Sequence, residues 1–212
     1  MDKVVYMFGG KIHSGKNFAA GVLKSLFEKR GIKVENVMLA QGVKDGCYKS
    51  FKQLAEYLNT LSEHAKENGD DFLAKELHIE KDNWYEDKTT ITRILLQTYG
   101  TEIFRDQVSR NYWTNKTLES ILNSKADVII ITDFRFPDEY NTIYAAMEKY
   151  KNRAYSIIVE RKNDTKKIEA EHSSENSLDN FDEDFHIDNN GTVEELEKKL
   201  NAIVDHYFNT KK

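Results

Sequence analysis

The feature that most constrains this chain is a glycine loop set between a strand pattern and a helix pattern. Gly10-Lys11-Ile12-His13-Ser14-Gly15-Lys16 has the spacing G-x-x-x-x-G-K. Before it, Val4-Val5-Tyr6-Met7-Phe8 is a short β-branched and aromatic run of buried-strand type. After it, Phe18 to Phe27 carries apolar residues at helical spacing. Glycines let such a loop turn sharply and aim its N–H groups at phosphate oxygens. The following helix adds partial positive charge at the same place, and Lys16 can reach the outer phosphates. The motif asks for Ser or Thr after the lysine, to touch magnesium. Asn17 stands there, followed by Phe18. An amide oxygen can ligate magnesium or hold one of its waters. His13 and Ser14 contact phosphate or are ordinary loop residues; the motif leaves both open.

The chain has 212 residues, a length that suits one α/β domain with small insertions. Its formal net charge of −5 argues against a protein that lives on a nucleic-acid backbone or an anionic membrane. Cys47 is the only cysteine, so no disulfide forms within the chain, and a reducing cytoplasm is the expected setting. No apolar stretch reaches membrane-spanning length, and the first residues enter a strand at once. The six histidines have no zinc-motif spacing.

Further along, Val34 to Ala40 reads as a second strand that ends in a tight turn at Gly42. Lys44 follows, either beyond the carboxyl end of a strand where α/β proteins bind ligands or as a solvated lysine. Residues 48–68 read as one helix, and 72–87 as an insertion anchored by Trp84-Tyr85. Thr90 or Thr92 caps the next helix, which puts Arg93, Gln97 and Thr101 on one face. Ile91, Ile94, Leu95 and Ile103 are expected in the core, and Gly100 is expected to interrupt the helix. Arg93 and Arg105 with Gln97, Gly100, Thr101 and Trp113 compose a pocket for an anionic aromatic ligand.

The run Val128-Ile129-Ile130-Ile131 is a parallel strand buried on both faces. It leads to Asp133, placed to hold magnesium or its water, or else to cap the helix from Pro137, a role Asp138 could share. Arg135 follows within reach of a phosphate. Tyr155 to Glu160 is another strand, and the polar stretch after Arg161 reads as a solvated loop or a lid. Phe185 to Asp188 is a last strand, Asn189-Asn190-Gly191 a turn, and Thr192 with Glu195 a capping box.

Taken in order, these segments resemble the bacteriophage deoxynucleoside monophosphate kinases, a branch of the P-loop nucleotide kinases. The resemblance rests on the loop from Gly10 to Asn17, Leu39-Ala40-Gln41-Gly42-Val43-Lys44-Asp45 and Arg93 to Glu102. It continues through Tyr112-Trp113, Thr132-Asp133-Phe134-Arg135, His172-Ser173-Ser174-Glu175 and Ile187 to Leu196. It implies an α/β fold, a parallel sheet flanked by helices, as a single domain over 1–212. A monophosphate-binding insertion spans about 42–90 and a lid 161–180. It implies ATP and Mg2+ as cofactors and a deoxynucleoside monophosphate as small-molecule substrate. Lys16, Arg93, Arg105, Arg135 and Asp133 would carry catalysis. Gly10, Lys11, His13, Ser14, Gly15, Lys16, Asn17 and Arg161 would hold ATP, and Asn17 with Asp133 the metal. Lys44, Arg93, Gln97, Gly100, Thr101, Arg105 and Trp113 would hold the acceptor. Monomer and homodimer stay open. Two other readings remain: a kinase for another acceptor, such as a coenzyme precursor or a polynucleotide 5′ end, and a nucleotide-binding protein without turnover.

Overall fold

The computed structural model describes residues 3–79, 89–162 and 176–210. The chain divides into two compact units, one of Met1–Leu39 with Thr117–Lys212, the other of Ala40–Lys116.

The first unit is built on a five-stranded parallel sheet, ordered β2-β3-β1-β4-β5. The strands are β1 (Val4–Gly9), β2 (Val34–Val37), β3 (Val128–Ile131), β4 (Arg153–Glu160) and β5 (Phe185–Asp188). β1 and β3 are buried at every residue, as continuous apolar runs in a central parallel strand must be. One face packs on α1 (Lys16–Lys29) and the C-terminal helix α8 (Val193–Thr210), through Tyr6, Phe8, Leu23, Phe27, Leu200 and Tyr207. α8 begins with a capping box: Glu195 N–H donates to Thr192 Oγ1 at 3.3 Å, and Thr192 N–H to Glu195 Oε2 at 3.0 Å. The opposite face is covered by α7 (Pro137–Lys149) and the last turns of α6 (Tyr112–Asn123), through Ile121, Tyr140, Ile143 and Met147. The end of α6 is closed by Lys3, whose Nζ donates to the carbonyls of Ile121, Leu122 and Ser124.

The second unit is helical: α2 (Gln41–Ser50), α3 (Lys52–Glu67), α4 (Asp71–Leu77), α5 (Thr90–Gln97) and a π-helix over Thr98–Val108. Its small core joins Cys47, Ala55 and Ile79 to Phe51, Leu95, Leu96 and Tyr99. Several expectations are corrected here and at the edge of the sheet. β2 ends at Val37, and Gly42 lies inside α2 rather than in a turn. Gly42 and Gly46 are notches, since a Cβ would stand 3.2 Å from the Trp113 ring and 2.7 Å from Tyr99 Oη. That packing outweighs a helical glycine penalty of about 1 kcal/mol each. The helix expected over 48–68 is two, broken at Phe51. Thr89, not Thr90 or Thr92, caps α5, accepting from Thr92 N–H at 3.3 Å. Gly100 does not interrupt the helix: the ladder widens to i→i+5 from Thr98, and the Tyr99 ring packs tilted against Phe104 at 4.7 Å. Ile94 and Ile103, expected in the core, are 55% and 42% exposed. The anchors Trp84-Tyr85, the segment His172-Ser173-Ser174-Glu175 and most of the lid segment lie outside the described residues.

Candidate active site

The loop after β1 is shaped by backbone conformations that few residues adopt. Gly10 has φ +136°, His13 +63° and Gly15 +86°. A Cβ on Gly10 would stand 2.3 Å from the backbone oxygen of Val159. A Cβ on Gly15 would stand 2.3 Å from Asn189 Nδ2. Both glycines are therefore required twice, by their φ and by what lies against them. Lys16 opens α1 and folds back, its Nζ donating to the Lys11 carbonyl at 3.2 Å. Ser14 is 2% exposed, and its Oγ is buried with no hydrogen-bond partner. A buried hydroxyl without a partner costs about 1–3 kcal/mol, so a loop that keeps one has a use for it with ligand bound. An oxyanion seated in the glycine loop fits that vacancy, which supports a phosphate ligand independently of the motif.

A cavity of about 380 Å³ adjoins the loop, lined in part by Gly10, Lys11, Ser14, Arg135 and Arg161. Five of the expected residues thus share one cavity. Phe134, Ile158, Leu178 and Phe181 give it apolar walls. Lys11 is held at its edge by Asp179, at 3.0 Å. Asp184 fixes the segment that forms this wall. Its Oδ2 accepts from Tyr140 Oη, Ser156 N–H and Ser156 Oγ at 2.7, 2.7 and 2.9 Å. Burial and the Asp184 hydrogen bond push the Tyr140 phenol far above its ordinary range, so it stays a donor.

Asp133 sits just past β3, next to the loop-bearing β1. Its Oδ1 accepts from Leu39 N–H at 2.9 Å. Neither it nor Asp138 caps α7. Glu139 does so, its Oε2 accepting from Arg135 N–H and Phe136 N–H, with Pro137 at the first helical position. Asn17 is exposed in the first turn of α1. Asn17 and Asp133 are hard oxygen donors of the kind magnesium takes beside substrate phosphates. Among the described residues, no group of three or more His, Cys, Asp or Glu could hold a metal ion.

In the second unit, Lys44 is buried at 9% exposure in α2 rather than solvated, an uncommon state for lysine. Trp113 donates from Nε1 to the Gly100 carbonyl at 2.9 Å. Its ring packs on Tyr99, Phe104 and Tyr112. The indole thus anchors the π-helix and is itself buried, at 8% exposure. Arg105 donates to the Arg110 carbonyl at 3.0 Å. Arg93 and Gln97 are half-buried on α5, and Thr101 half-buried in the π-helix. Burial raises the Cys47 thiol to about 12, which keeps it protonated and unreactive.

Residues 58–200 match the family model for deoxynucleotide monophosphate kinase. The chain belongs to that family. It is a nucleotide kinase, a phosphotransferase whose substrates are small nucleotides. The match starts beyond the phosphate loop, so the loop is assigned from its own geometry. Among solved structures, the kinase is similar to the Mycobacterium tuberculosis APS kinase CysC in complex with AMPPNP and APS. Identity there is 8%, coverage 96% of each chain, and the TM-score 0.49. A cysteine-to-alanine mutant of the same enzyme gives 8% identity, coverage of 96% and 98%, and a TM-score of 0.46. The structure of APE1195 gives 14%, coverage of 97% and 96%, and 0.45. No curated protein matches the chain. Among the described residues no helix is long and apolar enough to cross a membrane.

Sequence reasoning missed Asn189 and Asp184. Asn189 was visible only as part of a turn signal, and Asp184 carries no motif; their partners Ser14 and Ser156 are far away in sequence.

Proposed function

We propose that this kinase transfers the γ-phosphoryl group of ATP to a deoxynucleoside 5′-monophosphate in the cytoplasm, giving the diphosphate. The observation that carries the donor half is the buried Ser14 hydroxyl without a partner in a loop closed by glycines. The family match supports the acceptor half. The N–H groups from Gly10 to Asn17, with Lys16, hold the ATP phosphates, and Lys11, His13 and Arg161 bear on the same ligand. Lys16 exchanges its loop carbonyl for phosphate oxygens. Asn17 and Asp133 hold magnesium, which when bound supplies charge neutralisation at the phosphates.

The acceptor is a phosphate with a second pKa of about 6, so it is largely ionised near neutrality and needs no general base. Catalysis then reduces to positioning and charge. Arg135, Arg93 and Arg105 bind the acceptor phosphate and the charge that develops in transfer. Lys44, Gln97, Gly100, Thr101 and Trp113 serve the acceptor nucleoside. Acceptor recognition is the task of the helical region from about 42 to 90 and of α5 with its π-helix, and the stretch from 161 to 180 acts as a lid within one kinase domain.

The test is ADP release from ATP and magnesium with each deoxynucleoside and ribonucleoside monophosphate, with Lys16→Ala as control. Turnover on deoxynucleotides, lost in the control, is the expected result. ATP binding without turnover on any monophosphate would end the acceptor assignment.

A further inference from the structure

The turn after β5 supplies no group to the proposed reaction, yet it touches the phosphate loop. Asn189 Nδ2 donates to the Ser14 carbonyl at 2.9 Å. Its own N–H donates to Glu160 O at 2.8 Å, at the end of β4. The next residue, Asn190, accepts from Lys162 N–H at 2.8 Å through Oδ1. One turn thus ties down both the phosphate loop and the chain that continues from Arg161.

We propose that Asn189 is a positioning residue for ATP, setting the direction of the Gly15 N–H through the Ser14–Gly15 peptide. The peptide unit is planar and trans, so its C=O and N–H point in opposite directions. A carboxamide that draws Ser14 O to one side turns the Gly15 N–H to the other. Gly15 is the residue before Lys16, and its N–H is one of the donors the loop offers to phosphate. The carboxamide also occupies the space a side chain at position 15 would need, with Nδ2 at 2.3 Å from an added Cβ. The glycine of the motif and Asn189 are therefore one fitted pair. A peptide held in this way before ATP arrives costs little reorganisation when it binds.

This rests on the loop being an ATP site, so ATP binding to the unaltered chain is measured first. A chain that binds no ATP sinks the functional reading and the positioning role with it. Given that binding, Asn189→Ala and Asn189→Asp are compared by calorimetric ATP affinity, both KM values and Tm. The expected result is ATP affinity weakened about tenfold, the scale of one lost hydrogen bond, with the acceptor KM changed less than about twofold. Asn189→Asp keeps the shape and loses the donor. Its carboxylate is ionised near neutrality and also brings negative charge beside the phosphate loop, so its ATP affinity should fall at least as far as that of Asn189→Ala. Unchanged ATP affinity in both variants overturns the proposal. So does an equal shift of both KM values with a fall in Tm, the mark of a merely structural residue. Should neither variant fold, the Gly15 amide resonance of the unaltered chain decides. It should move downfield on ATP addition, and a resonance that stays in place overturns the role.

Discussion

The sheet unit and the helical unit solve opposite problems. In the sheet unit, position is set by backbone. Strands buried on both faces fix the loop, and glycines with φ above +60° shape it. Asn189 and Asp184 then pin the surrounding turns by side-chain hydrogen bonds. In the helical unit, position is set by side chains meeting at glycine notches, with aromatic rings clustered around a π-helix. Its core of buried residues is small, and large apolar residues such as Tyr57, Phe72 and Ile94 stay exposed. A transferred phosphate demands fixed donors, which a backbone loop provides. A glycine-shaped loop in one unit and light burial in the other are the division expected where one ligand is common and the other is selected.

The sharpest test of this contrast is to disturb one glycine in each unit. Gly10→Ala meets a backbone oxygen and a φ of +136°, and neither can yield cheaply. Turnover should fall at least about a hundredfold, with ATP affinity lost in a binding titration, because the loop itself moves. Gly100→Ala meets only the Val43 side chain, at 2.7 Å. It should cost about 1–3 kcal/mol in denaturant unfolding and raise the acceptor KM more than the ATP KM. A larger ATP effect from Gly100→Ala than from Gly10→Ala would break the division.

Asp184→Ala probes whether the cavity wall is held as firmly as the loop. Ser156 is fully buried and Tyr140 9% exposed, so removing their acceptor strands buried donors. The expected loss is about 1–3 kcal/mol of stability, read from the urea midpoint. At the other extreme, Gly21 in α1 has nothing within 4 Å of an added Cβ. Gly21→Ala should stabilise by about 0.5–1 kcal/mol through helix propensity alone, with activity unchanged.

The same contrast explains what could be read from sequence. β1 and β3 were legible because a central parallel strand is a continuous apolar run, and α8 because its capping box and stripe of Leu196, Leu200, Ile203, Val204 and Tyr207 agree. The phosphate loop was legible because φ demands glycine locally. The helical unit was not. Gly42 reads as a breaker until Trp113 is known to lie against it, and Ile103 reads as core because an α-helical stripe does not reveal the shift to i→i+5 over Thr98–Val108. Glu139 as the cap of α7 was missed because Asp133 and Asp138 flank the same helix start with equally suitable side chains.

The smallest expected effect concerns the turn that joins the loop to β5. Asp188 is exposed, and its carboxyl lies below its ordinary range, chiefly through the Asn190 side-chain and backbone N–H bonds, with Lys199 and Lys162 adding to this. A lowered carboxyl stabilises the fold above its unfolded value, and that contribution is lost as pH falls through the lower, folded one. The window therefore opens below about pH 4 and is silent near neutrality. Asp188→Asn should flatten the acid end of the Tm–pH profile slightly and lower the neutral Tm slightly, because the carboxylate's contribution is present there. Because Asn190 also holds Lys162 N–H, and Asn189 holds Ser14, protonating Asp188 loosens the one turn that both segments share. ATP affinity at the acid edge should then fall more steeply in the unaltered chain than in Asp188→Asn. Identical acid profiles for the two would mean that the turn is held by its backbone ladder alone, as the rest of the sheet is.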